Sequence, residues 1–130
     1  LSRRIEHNGR TPVNKYLVLY KSEGALNVPG MSVSEMMANT PPERMAAGMA
    51  LWQAWLGKCG SALLDPGAPL DKSTTVAAGA GTPGKTDITG YTLLQAESVE
   101  AAAALMADHP HFHTPGGSIQ ILECVRLPGM

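Results

Sequence analysis

The chain has 130 residues, 44% of them hydrophobic and 16% charged, which is enough apolar material for one globular domain with a buried core. A net charge of −1 offers nucleic acid no basic surface, and no apolar run reaches membrane-spanning length, so neither is expected as a partner. The N-terminus lacks the basic-then-apolar pattern of a secretory signal, and the two cysteines, Cys59 and Cys124, are too isolated for a disulfide framework or a Cys-x-x-Cys pair. Together these point to a cytoplasmic protein in which both thiols act as small buried hydrophobes.

Residues 1–14 are polar, carry Arg3, Arg4 and Arg10, and show no period; they read as a flexible N-terminal extension ahead of a domain over residues 15–130. Lys15 to Tyr20 is rich in aromatic and branched side chains and reads as a strand apolar on both faces. Ser32 and Glu35 have capping-box spacing for a short helix ending at Asn39. Thr40-Pro41-Pro42-Glu43 opens a longer helix, with Thr40 as cap. Met45, Met49, Trp52, Leu56 and Cys59 form its apolar stripe, with Trp55 at the edge and Gly60 as stop. Ser61 to Asp65 reads as a strand broken at Pro66-Gly67. Thr74 to Ala77 is extended, and Gly79 to Asp87 is a Gly-rich connection. Ile88 to Gln95 is a strand whose Gly90 predicts a bulge or close approach. Ser98 caps a second helix that stops near His109-Pro110, and Ser118 to Val125 forms the last strand.

The order β-α-β-β-α-β matches a ferredoxin-like α+β arrangement, with helices on one face of an antiparallel sheet. Tyr16, Val18 and Tyr20 lie on one side of the first strand, and Leu17 and Leu19 on the other. Ile119 and Ile121 oppose Leu122 and Cys124 in the same way on the last strand. One apolar side meets the helices; the other calls for a partner, and a symmetric homodimer is the simplest.

Three of the four histidines, His109, His111 and His113, fall at every second position. In an extended segment they would share a face and could converge on a metal, but Pro110 and Pro115 break strand geometry and spacing supplies no fourth ligand. No metal or other cofactor is therefore expected; a surface or pocket-rim role stands beside a catalytic one. Gly79-Ala80-Gly81-Thr82-Pro83-Gly84-Lys85-Thr86 fits the P-loop pattern G-x-x-x-x-G-K-[ST], yet a strand follows it where phosphate binding needs a helix N-terminus. Asp65 is either a turn-former bonded to its own backbone or a general base in a pocket. Tyr16, Tyr20 and Tyr91 are either core or turn hydroxyls into a cavity. Glu123 is either a strand-end charge or a cavity carboxylate.

Several stretches resemble the YCII-related family of small bacterial proteins, in its DGPF-like branch. They are Lys15 to Lys21, Met49-Ala50-Leu51-Trp52-Gln53-Ala54-Trp55, Asp65-Pro66-Gly67-Ala68-Pro69-Leu70, Gly90-Tyr91, His109-Pro110-His111 and Pro115 to Ile119. The resemblance implies a ferredoxin-like protomer paired into a dimeric α/β barrel, in a superfamily where a few relatives are lyases or isomerases of small cyclic compounds. The chain departs from the family pattern in two places. Gly84 to Thr89 stands where the Asp-Gly-Pro-Phe tetrad belongs, and residues 41–60 hold no His for the family's His and Asp pair.

In a ferredoxin-like protomer the end of the first strand and the start of the last lie at one rim, bringing Tyr20 and Lys21 toward His109–His113. Asp65 falls at the opposite sheet edge, about 15 Å away. Two readings result. In the first, a homodimeric barrel binds a small molecule and moves protons, with His109, His111 and Asp65 as catalytic candidates and Tyr16, Tyr20, Tyr91, His113 and Glu123 contacting the ligand. In the second, the chain is a non-catalytic binding or assembly module. A cavity lined by His and Tyr favours the first, and a space filled by Met, Leu and Trp the second.

Overall fold

The computed structural model describes residues 13–22, 33–84, 86–114 and 116–129. Most of the expected N-terminal extension lies outside them; Asn14, its last residue, already opens the first strand. The elements run β1 (Asn14–Ser22), α1 (Val33–Ala38), α2 (Pro42–Cys59), β2 (Leu63–Pro69), β3 (Ser73–Ala77), β4 (Ala80–Gly84), β5 (Ile88–Ala96), α3 (Val99–Ala104) and β6 (Gly117–Cys124). Short 3-10 turns occupy Gly60–Ala62 and Pro110–His113.

The main sheet has four strands in the order β2-β5-β1-β6, and every neighbouring pair is antiparallel. With α2 between β1 and β2, and α3 between β5 and β6, this is an α+β fold consistent with the ferredoxin-like arrangement. Its addition is the β3–β4 hairpin, inserted between β2 and β5.

Alternation decides the layers. On β1, Tyr16, Val18, Tyr20 and Ser22 are buried and the residues between them half-buried, so the even positions face the helices. Val18, Tyr20 and Leu94 of the sheet pack with Trp55 and Cys59 of α2 and with Met106, just beyond α3. Ile119 and Ile121 of β6 join the same layer.

The α2 stripe is rotated from the expected one. Trp55 and Cys59 are its buried residues, and Met49 is 53% exposed. Trp52-Trp55-Cys59 satisfies the helical spacing as well as Met49-Trp52-Leu56 does, and the larger aromatic area wins the core. Pro41, not Thr40, holds the N-cap position, with no side-chain cap bond. Ser98 caps α3 as expected, its hydroxyl accepting from the Ala101 amide at 3.1 Å.

Three further expectations are corrected. Ser61 and Ala62 sit in a 3-10 turn, so β2 starts at Leu63 and runs through Pro66-Gly67 to Pro69. Two register shifts against β5 absorb the irregular pair. Gly67 has φ +77°, and a side chain there would run into the Tyr91 carbonyl. The Gly-rich connection contains β4, because Ala78 and Gly79 both take positive φ (52° and 83°) and close a tight hairpin. The described part of the P-loop pattern therefore lies on β4 and its turn, and among the described residues the next element is β5, not a helix to aim at a phosphate. Finally, Cys124 is exposed at the end of β6, while Cys59 is buried as expected.

Candidate functional site

The chain after α3 turns at Met106 to Asp108 and drops His109 into the angle between α2 and the sheet, where it is fully buried. His109 keeps extended backbone (φ −60°, ψ 137°), and Pro110 then starts the 3-10 turn over Pro110–His113. That turn ends the every-second-residue logic. His109 points into the core, His111 is 6% exposed and His113 lies exposed on the turn's outer side. Among the described residues, no three His, Cys, Asp or Glu side chains cluster as a metal ion would require. Gly117 permits the tight return into β6, since a Cβ there would stand 2.7 Å from the His111 carbonyl oxygen.

The hydrogen bonds of His109 have only one consistent direction. The His111 amide donates to His109 Nδ1 at 2.9 Å, so Nδ1 carries its lone pair and the proton sits on Nε2. Nε2–H donates to the Tyr20 hydroxyl at 3.2 Å. Thr92 Oγ1 donates to the Pro66 carbonyl at 3.0 Å, so it must accept from Tyr20, 2.7 Å away. The run amide, imidazole, phenol, hydroxyl, carbonyl crosses from the helix corner to β2 with each intervening group satisfied. Burial, helped by the neighbouring His111, pushes the His109 pKa down to about 4. Burial also pushes the Tyr20 phenol up to about 12, against the lowering effect of its bond with Thr92. Both groups are neutral near pH 7, as the bonding pattern requires.

Aromatic rings close the corner. The His109 ring centre lies 4.2 Å from that of Trp55 and 4.7 Å from that of Trp52, and Trp52 meets Tyr20 edge-on at 4.9 Å. Trp55 Nε1 donates to the Leu105 carbonyl at 2.7 Å, tying α2 to the turn after α3. His111 Nε2 donates to the Lys21 carbonyl, which can only accept, at 2.7 Å, so Nε2 carries a proton.

The structure thus joins Tyr20, Lys21, His109 and His111 at one corner and separates the other candidates from them. Asp65 Oδ1 accepts from the Gly67 amide at 2.8 Å, the turn-forming role, and its carboxylate takes no part in the corner. Tyr16 is buried at the far end of β1, its hydroxyl 3.4 Å from Glu123 Oε1. Tyr91 pairs across the sheet with Leu19 and so belongs to the opposite face. Thr92 escaped sequence reasoning. Its one signal is its place between Gly90 and Leu94 on the buried side of β5, where a polar residue must find an internal partner. No protein-family model matches the chain, and no curated protein matches it.

Proposed function

We propose that the chain is a homodimeric, YCII-like binding module that encloses a small ligand between two facing sheets. The supporting observation is the sheet face away from α2 and α3. Leu17 pairs with Leu93 on one side and Leu122 on the other, and Leu19 with Tyr91 and Gln120. All but Leu122 and Gln120 are half-buried, and Leu122 is 40% exposed. A continuous apolar patch of this kind on a four-stranded sheet favours a partner, and a second copy supplies it by symmetry. The patch suits a ligand with an apolar body and one polar group, taken up by the Tyr91 hydroxyl and the Gln120 amide. The unpaired thiols of Cys59 and Cys124 suit the reducing cytoplasm.

Binding is favoured over acid-base catalysis because both ring nitrogens of His109 are already engaged and Trp52 and Trp55 fill the space around it. A lyase- or isomerase-like proton transfer, the second reading, draws on His111, whose Nε2 is held by the Lys21 carbonyl and whose Nδ1 is the remaining ring nitrogen. Sedimentation of the full chain between about 1 and 100 μM tests the first reading. Sheet-to-sheet association that Leu19→Lys and Leu93→Lys each weaken supports it, as does an apolar dye such as anilinonaphthalene sulfonate that binds wild type and is released by Tyr91→Ala. A monomer throughout that range defeats it.

A further inference from the structure

The outer side of α2 is the least expected surface of the molecule. From Met45 to Gly57 the helix carries no charged residue, although only one side of it meets the core. Leu51 is 49% exposed, and Ala47, Ala50 and Ala54, all exposed, run beside it along one flank of the helix, about 80–140° around from Trp55. A surface helix ordinarily places charges on such a flank; an uncharged apolar flank is ordinarily covered.

Of the three charges on α2, Arg44 lies about 100° around from Glu43 and off this flank, and the other two indicate what covers it. Glu43 lies in the first turn and Lys58 in the last, both exposed and both in line with the alanine row. Lys58 rests one hydrogen on the Ala107 carbonyl at 3.4 Å, which holds the ammonium at this end of the helix. A two-fold axis midway between Ala50 and Leu51 makes the row self-complementary: Glu43 meets Lys58 of the other copy at both ends, Ala47 meets Ala54, and Ala50 meets Leu51. Alanines along such a contact let two helices approach closely.

We infer that α2 pairs antiparallel with α2 of a second copy of this chain, through its alanine row and two Glu43–Lys58 ion pairs. The contact lies on the helix layer and not on the open sheet face, so it is independent of the sheet-to-sheet pairing proposed above. When both form, the assembly exceeds a dimer.

Charge reversal tests the pairing with the full chain, by sedimentation up to about 200 μM in low salt. Glu43→Lys puts Lys opposite Lys at both ends and Lys58→Glu puts Glu opposite Glu. Each is expected to weaken the association about tenfold, through the loss of two attractive pairs and the gain of two repulsive ones. An equimolar mixture of the two variants restores Lys-to-Glu contacts at both ends, and its association should return to within about threefold of wild type. Both charges also complement the helix dipole, but a dipole effect cannot be rescued by a second chain. Ala50→Glu, at an exposed helical position that leaves the core untouched, should abolish the contact. Leu93→Lys should leave it intact, which separates it from the sheet-face dimer. Wild type with the same mass distribution as Ala50→Glu, or single variants that mixing does not restore, would overturn the inference.

Discussion

Tyr16 and Tyr20 sit one above the other on the helix-facing side of β1, 1% and 3% exposed, yet the two ends of the strand treat them differently. Tyr20 stands between a histidine that can only donate to it and a threonine that can only accept from it, at 3.2 and 2.7 Å. Tyr16 ends in loose contacts of 3.4 Å to Glu123 and 3.5 Å to Asn14, both exposed residues. Burial of the ring is equal at the two ends, so any difference in what the phenols contribute comes from the hydroxyl. In the low dielectric of the corner a satisfied bond is stronger, and an orphaned partner more costly, than at a wet strand end. The corner therefore specifies its geometry, while the other end only fills space.

The strongest way to break the contrast is to remove the corner's central ring. His109→Ala empties a fully buried site between Trp52, Trp55 and Tyr20 and leaves the His111 amide without its acceptor. Cavity formation and an orphaned donor together should cost about 3–4 kcal/mol, read as a lower urea midpoint. A loss below about 1 kcal/mol would mean that the corner collapses without consequence.

Acid probes the same ring without mutation. His109 titrates near 4 when folded and near 6.5 when unfolded. Above pH 6.5 both states are neutral there and its contribution is complete. As pH falls from 6.5 to 4, the unfolded chain takes up a proton that the native imidazole refuses, so stability declines. The full difference corresponds to about 3 kcal/mol. Urea titrations between pH 7 and 4 should show the decline in wild type and a flatter profile in His109→Gln, which has nothing to titrate. Equal slopes in the two proteins would reject a neutral buried His109.

Much of this arrangement was legible in the sequence, and what was not has identifiable physical causes. Period-two alternation marked β1 and β6 and their two apolar sides, and topology alone brought Tyr20 and Lys21 to the histidines. Pro66-Gly67 read as a break because local propensity argues against a strand there, but pairing with β5 overrides it. β4 was hidden by a composition of Ala, Gly, Thr and Pro that becomes a strand only through its turn and its partner. Pro110 reads as breaking strand geometry, but that it starts a 3-10 turn sending His109 inward and His113 outward depends on packing against α2 and the sheet. The Tyr20–Thr92 contact depends on register. Tyr20 sits opposite Gly90, which offers no side chain, so its hydroxyl reaches diagonally to the next residue on that side of β5.

The two tyrosines supply the finest measurement. Tyr20→Phe keeps the ring packing and removes one oxygen, so His109 Nε2–H loses its acceptor and Thr92 Oγ1 loses a donor, both inside the protein. A loss of about 1–2 kcal/mol is expected, the cost of an unmade buried bond. Tyr16→Phe removes an oxygen whose partners already reach solvent, and water can satisfy Glu123 and Asn14 in its place. Its effect should stay within about 0.5 kcal/mol. The double variant should lose the sum of the two single losses, because the two hydroxyls share no partner. Equal losses at Tyr16 and Tyr20 would show that phenol burial alone sets the stability of this row, and the directional bonding at the corner would then carry no special weight.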